Sequence, residues 1–369
     1  MSGHTPECQE EWREHRVRDV SVVGQSGGFA HEDGATMKVL FIGGTGNISR
    51  TVSSLAVARG TDLFLLNRGL RADSIPGART IVGDVGAMRT NSDLLGHTWD
   101  AVVNWIAFTE QDVQRDIELF AGKTKQYIFI SSASAYQKPP SHPIVTESTP
   151  LVNPFWQYSR DKIACELRLM AEHRATGFPV TIVRPSLTYD TVIPVAMGGW
   201  TEYTIVDRIR KGLRIIVHGD GSSLWTITHA DDFAAGFLGL LGHQQAIGHA
   251  FHITSDEVLT WDQIYQAIAD AVGCTPNIVH IPSEFLGRYD DHLRGALLGD
   301  KAHSIIFDNT KIKRFVPGFT ATIPFNAGIR RTIRWFEADP ARMVVRQTTH
   351  DFFDRILADY DRAVRVPPQ

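Results

Sequence analysis

The sequence predicts a doubly wound parallel α/β sheet with a smaller C-terminal region, and three observations carry that reading. From Met37 onward, short apolar runs alternate with amphipathic helical runs, the pattern of βαβ units. A glycine-rich turn, Gly43-Gly44-Thr45-Gly46, separates the first apolar run from the first helical one. After Pro185 the alternation gives way to loops, short strands and several helices. The expected sheet domain therefore spans 37–187 and the second region 188–369, with a segment near 245–255 returning to the sheet because Ala250–Thr254 reads as a strand. With 369 residues, 43% hydrophobic and 21% charged, the chain can bury a sizeable core.

Residues 1–36 read differently. They are polar, carry the Gly24–Gly28 segment and show no sustained period, so a disordered tail is expected, with Met37 as an alternative start of the native chain. The first strand is then Lys38–Ile42, followed by a helix over Ile48–Arg59 and a strand over Asp62–Leu66. Further strands are predicted at Thr80–Val82, Ala101–Ile106, Tyr127–Ser131 and Val180–Val183, with helices over Glu110–Phe120 and Trp156–Ala175. Beyond Pro185 come a loop (Thr188–Gly199), a basic helix (Thr201–Lys211) and a strand (Arg214–Val217). The Tyr203/Ile205/Val206/Ile209 spacing reads as core.

Several function classes lose support. A net charge of -4 and a pI near 6.4 lack the basic signature of a nucleic-acid binder. Cys8, Cys165 and Cys274 are too widely spaced for a zinc motif, and their odd number precludes a fully paired framework, which fits the cytoplasm. The longest apolar stretches, such as Phe233–Gly242, fall short of the roughly 20 residues of a membrane span, and no secretory signal is visible. His243, His249 and His252 look clustered, but an offset of three in a strand points His249 and His252 to opposite faces, so no metal is expected.

Glycines between a first strand and a first helix let the backbone turn tightly and approach a pyrophosphate, whose charge the helix N-terminus favours. Gly43, Gly46, Asn47 and Ile48 are the candidate cofactor residues there, in a Rossmann-like arrangement, with Ser49 standing where a third glycine is usual. The tip of the second strand, Leu66-Asn67-Arg68-Gly69, carries no acid to accept from a ribose 2′-hydroxyl. Asn67 and Arg68 therefore favour NADP(H), with NAD(H) left open. Asp84, after the third strand, could accept from an adenine amino group or cap the next helix.

At the other end, Tyr158-Ser159-Arg160-Asp161-Lys162 sets a phenol and an ammonium four residues apart, on one helical face. Ser131, Ser132 and Ser134 follow a strand, putting hydroxyls at the carboxyl edge where doubly wound sheets bind ligands. His229, ahead of Asp231-Asp232, could touch a substrate or act as a cap or packing residue.

With these motifs the chain resembles the extended short-chain dehydrogenase/reductases, the NAD-dependent epimerase/dehydratase group, over about residues 37–340. The shared signatures are the glycine-rich turn, Ser131-Ser132-x-x-x-Tyr136, Tyr158-x-x-x-Lys162, Arg184-Pro185 and Gly219-Asp220-Gly221 followed by His229-Ala230-Asp231-Asp232. The resemblance implies catalysis by Ser132, Tyr158 and Lys162. Tyr158 would be the acid/base, its pKa lowered by the Lys162 cation, and Ser132 would orient the reacting oxygen. It also implies cofactor contacts from Ala107, Tyr158, Lys162 and Pro185, substrate contacts from Ser132, Ser134, Tyr189, Trp225 and His229, and a homodimer. The substrate class it implies is a secondary alcohol or ketone of a sugar-like or nucleotide-sugar-like molecule, handled by an oxidoreductase or epimerase. Ala133-Ser134 stands where the dehydratases carry Asp-Glu, which argues against a sugar 4,6-dehydratase. Trp225 stands where nucleotide-sugar members carry an arginine, although Arg208, Arg210, Lys211 and Arg214 lie near in sequence. The alternative is a non-catalytic relative that binds RNA or a nucleotide, as chloroplast stem-loop RNA-binding proteins do. The Arg208–Arg214 stretch with Lys311, Lys313 and Arg314 would then form its basic surface.

Overall fold

The computed structural model of the chain describes residues 36–69 and 74–364. The expected tail, apart from Thr36, lies outside the described residues. Seven parallel strands form the central sheet: β1 (Lys38–Ile42), β2 (Asp62–Asn67), β3 (Arg79–Val82), β4 (Ala101–Asn104), β5 (Tyr127–Ile130), β6 (Val180–Pro185) and β7 (Ala250–Ile253). Their spatial order is β3-β2-β1-β4-β5-β6-β7, so the winding reverses between β1 and β4. There Ile42 pairs with Leu66 on one side and Asn104 on the other. Every residue of β4, β5 and β6 is buried, as expected of strands covered on both faces.

Alternation along β1 sorts the two cores. Val39 and Phe41 pack with Val52 and Ala56 of α1 (Asn47–Ala58) and with Phe233 and Phe237. Leu40 and Ile42 face the opposite layer, with Val113 and Ile117 of α2 (Glu110–Phe120) and Cys165 and Leu169 of α3 (Gln157–Thr176). Phe233 and Phe237 belong to α4 (Ala230–Leu240), which packs against α1. Helix α2 starts at Thr109, whose hydroxyl accepts from the Asp112 N–H, while the Asp112 carboxylate accepts from the Thr109 N–H. Helix α3 ends at Gly177 in the left-handed conformation, φ 78°.

Strand β4 stops at Asn104 instead of the predicted Ile106. The Asn104 carboxamide oxygen accepts from the Ile106 N–H at 2.9 Å, diverting the backbone out of the ladder. The predicted Thr201–Lys211 helix forms only over Thr204–Arg210. Its Ile205, Val206 and Ile209 are buried with Tyr203 in a third core, around Trp261 and Tyr265 of α5 (Trp261–Ala271). That core also takes Ile329 and Ile333 of α6 (Phe325–Glu337) and Phe353 and Ile356 of α7 (Gln347–Val364). No helix among the described residues is long and apolar enough to cross a membrane.

Candidate active site

A cleft of about 1460 Å³ runs from the β1–α1 turn, across the carboxyl ends of the sheet, to the third core. At the turn, Gly44 holds φ 104°, and a Cβ there would stand 2.8 Å from Leu65 Cδ2. Only glycine fits that backbone. Ser49, in the place of a third glycine, is buried and accepts the Gly46 N–H on its Oγ at 2.9 Å, a bond glycine could not make. Ser53 Oγ donates to the Gly44 carbonyl at 2.8 Å, so the helix ties down the turn from below. Asn47 donates through Nδ2 to the Thr188 carbonyl at 2.9 Å, while its Oδ1 is buried without a hydrogen-bond partner. Gly43, Gly46, Asn47 and Ile48 all line the cleft. A cramped glycine cradle at a helix N-terminus, with an unused acceptor beside it, fits the pyrophosphate and ribose of a dinucleotide.

Asn67, Arg68 and Asp84 also line this end. Asn67 Oδ1 accepts from the Gly69 N–H at 3.0 Å, and Arg68 is exposed. Asp84 Oδ1 accepts from the Gly86 N–H at 2.8 Å, so it caps the short 3₁₀ turn Val85–Thr90. Of the two roles open to Asp84 from sequence, capping is thus made through Oδ1, and the residue also lines the cleft.

At the centre, Tyr158 and Lys162 open α3 and both line the cleft, together with Ser132, Ser134 and Pro185. Ser132 lies near enough to the Tyr158 phenol to act on its acidity. The Ser132 and Ser134 hydroxyls are 2.9 Å apart, and Ser159 Oγ donates to Ser134 Oγ at 2.8 Å. A hydroxyl chain thus leads from Ser132 into the protein. Lys162 is buried and donates from Nζ to the Ala107 carbonyl at 2.6 Å and the Ile130 carbonyl at 2.8 Å. Phe108 and Phe129 rings flank the ammonium at 4.5 and 4.9 Å. Burial pushes the Lys162 ammonium down to about 8, against smaller opposing pulls from Cys165, Glu166 and Asp112.

Burial likewise raises the Tyr158 phenol above its ordinary value; the Ser132 hydrogen bond pulls the other way and the Asp300 charge adds to the rise. This corrects the expectation that Lys162 lowers the phenol. The ammonium lies 5.9 Å from the ring centre, with its donors turned to backbone carbonyls, and desolvation outweighs it.

Three predicted contacts are not in the cleft. Ala107 is buried behind it and reaches the site only through its carbonyl on Lys162. Tyr189 ends the short strand Leu187–Tyr189, paired with Ile227–His229, and the two aromatic side chains pack edge-on at 5.2 Å. Both are buried away from the cleft, and His229 caps α4 by accepting the Asp231 N–H on Nδ1. Neither touches the site, because the strand turns its Tyr189 and His229 ends towards Phe325 and α4. Trp225 does line the cleft; it is buried, and its indole N–H has no partner.

The basic stretch after Thr201 is committed elsewhere. Arg208 donates to Asp354 at 2.6 Å and Arg214 to Asp361 at 2.9 Å, both on α7, while Arg210 pairs with Glu337 and Lys211 with Asp207. Lys313 pairs with Asp256. Arg208, Arg210 and Arg214 clamp α6 and α7, while Lys211 and Lys313 sit in ion pairs apart from those helices. None of Arg208, Arg210, Lys211 and Arg214 lines the cleft, so the expected diphosphate grip and the basic RNA surface are both weakened.

The far wall holds residues that sequence reasoning missed: Trp156, Asp300 and Lys301. Trp156 lies 4.9 Å from the Tyr158 ring, centre to centre. A Cβ on Gly295 would sit 2.4 Å from Trp156 Cδ1, and one on Gly299 2.9 Å from its Cβ, so this glycine pair is what admits the indole. The Gly295-x-x-x-Gly299 spacing was the available signal.

Residues 39–254 match the model of the "NAD dependent epimerase/dehydratase family". A "2'-dehydrokanamycin reductase" of Streptomyces kanamyceticus is 27% identical over 68% of this chain and 71% of its own. The "Chloroplast stem-loop binding protein of 41 kDa b" of Arabidopsis thaliana is 28% identical over 67% of each chain. Among solved structures, epimerase Mth375 from Methanothermobacter thermautotrophicus superposes with TM-score 0.68 at 16% identity, covering 84% of this chain and 94% of that one. The UDP-glucose 4-epimerase of Thermus thermophilus, in complex with NAD, gives 0.63 at 18% identity, covering 82% and 99%. At those identities the likeness is one of fold.

Proposed function

Since this chain belongs to the NAD dependent epimerase/dehydratase family, whose members are nicotinamide-dependent, we propose that it is an oxidoreductase or epimerase acting on a secondary alcohol or ketone of a sugar-like substrate. The observation that carries the reading is the gathering of Tyr158, Ser132 and Lys162 in one cleft, with the phenol one helical turn from the buried Lys162 ammonium. When bound, the nicotinamide supplies or accepts the hydride. Gly43, Gly46 and Asn47 would hold the pyrophosphate, and Arg68 a ribose 2′-phosphate, which favours NADP(H). Lys162 would exchange a carbonyl partner for a ribose hydroxyl.

Tyr158 handles the proton. With its phenol raised by burial it is protonated at neutral pH, which suits donation to a carbonyl oxygen as that oxygen gains charge. Ser132, beside the phenol, orients the oxygen, and its own hydroxyl is held by Ser134, which Ser159 holds in turn. The relative named "2'-dehydrokanamycin reductase" supports the reductive direction. Elimination of water has no acid/base pair here, because Ala133 and Ser134 occupy the two positions after Ser132. A homodimer in the cytoplasm completes the proposal.

The test is Tyr158→Phe, which keeps the ring and removes the hydroxyl. Turnover of keto-sugar with NADPH should fall at least about 100-fold, while the NADPH dissociation constant stays within twofold. Unchanged turnover would sink the mechanism.

A further inference from the structure

Lys301 is a buried cation whose hydrogen-bonding capacity the protein does not use. It is 6% exposed, lines the cleft, and makes no side-chain hydrogen bond among the described residues. Its nearest acid, Asp300, is 3.7 Å away, and its ammonium lies 5.6 Å from the Trp156 ring centre. Asp300 is shared with a second buried ammonium, Lys138, at 3.5 Å. Two cations therefore face one carboxylate, and no other described carboxylate comes within 4 Å of either.

The placement is built rather than incidental. Lys301 ends a single π-helical turn, Leu297–Lys301, a geometry that recurs at functional sites. Its carbonyl accepts from His218 Nε2 at 3.0 Å, Ser223 Oγ at 3.2 Å and Trp261 Nε1 at 3.2 Å. Three side chains thus pin the backbone while the ammonium is left without an acceptor. A desolvated ammonium with unused donors is costly, and an acceptor from outside the chain removes that cost.

We propose that Lys301 binds an oxyanion carried by the substrate, one carboxylate or one phosphate, on the wall facing Tyr158. This rests on the oxidoreductase reading above and adds to it the substrate class, an acidic sugar-like molecule. One ammonium matches a single anionic group, whereas a diphosphate would call for the guanidinium groups that the far wall lacks. Among the described lining residues the one arginine is Arg68, at the opposite end. Trp156 adjoins both Lys301 and Tyr158, so one ligand in this cleft can reach the ammonium and the phenol together.

The test uses full-length protein saturated with NADPH and three probes, glucuronate, glucose 6-phosphate and methyl α-D-glucopyranoside, followed by saturation-transfer and phosphorus NMR titrations. At least one anionic probe should bind about tenfold or more tighter than the neutral glycoside, and the two anionic arms tell carboxylate from phosphate. Lys301→Met should bring that ratio under twofold, and Lys301→Arg should restore it, which guards against a folding defect in the Met variant. Equal binding of charged and neutral probes, a preference that survives Lys301→Met, or no binding of either anion at 20 mM would each overturn the proposal. Because the readout is binding, NADPH retention with no anion preference defeats this inference alone; loss of NADPH binding defeats the oxidoreductase reading too.

Discussion

Replacing Lys162 by Met in the cofactor-free protein should raise its stability at pH 7, and the gain should disappear in alkali. Lys162 is buried, and burial holds its ammonium at about 8 against an ordinary 10.5. At 1.36 kcal/mol per pH unit, that depression costs the folded state about 3 kcal/mol wherever the lysine is protonated in both states. The folded value lies below the unfolded one. The penalty is therefore fully present below pH 8, shrinks between pH 8 and 10.5 as the folded state sheds its proton first, and is gone above. Methionine keeps the length of the side chain but forfeits the bonds to the Ala107 and Ile130 carbonyls, worth about 1 kcal/mol each. The net expectation at pH 7 is a variant more stable by about 1 kcal/mol. The sharper quantity is the methionine variant's advantage, which should fall by about 1 kcal/mol per pH unit from pH 8 to 10, crossing zero at about pH 9 and then favouring lysine. Urea denaturation at intervals from pH 6 to 10 measures it. A difference that stays flat over that range would refute the account of Lys162 as a strained, functionally retained cation.

Other substitutions probe the remaining parts of the site. Gly44→Ala forces a Cβ to 2.8 Å from Leu65 on a backbone at φ 104°, so it should cost about 1–3 kcal/mol in urea denaturation and weaken NADPH binding by more than tenfold. Arg68→Ala should weaken NADPH by about tenfold and leave NADH unchanged in fluorescence titrations; equal losses would remove Arg68 from cofactor choice. Arg208→Met strips the 2.6 Å pair with Asp354 and the bond to His350, so amide exchange across Gln347–Val364 should accelerate while the exchange of β1 and β4 amides stays slow. Unaltered protection of that helix would show that its apolar face alone holds it.

What sequence could reveal here follows from how far apart the interacting residues lie. The β1–turn–α1 unit is local: an apolar run buried from Val39 to Ile42, three glycines and a helix start sit within a dozen residues, so its shape and its ligand chemistry read together. Tyr158 and Lys162 are legible for the same reason, being one helical turn apart. The acidity of the pair is not, because it depends on what covers it. Phe108 and the Ala107 carbonyl come from the loop after β4, Phe129 and the Ile130 carbonyl from β5, and their combined desolvation reverses the expected effect of the cation. The family resemblance implies substrate contacts from Tyr189 and His229, yet a two-strand pairing turns both away from the cleft. The same logic explains why the basic run after Thr201 misled. A helix that reads as a free cationic surface is, in the fold, the partner of acids about 150 residues later, on α7. Lys301 is the converse case. Nothing near it in sequence marks it, and its significance comes from three side chains that hold its carbonyl and a carboxylate already shared, all settled by tertiary packing. In such a cleft the cofactor end is written in a contiguous motif, whereas the substrate end is assembled from scattered segments. Substrate class must therefore be read from which buried polar groups the packing leaves without a partner.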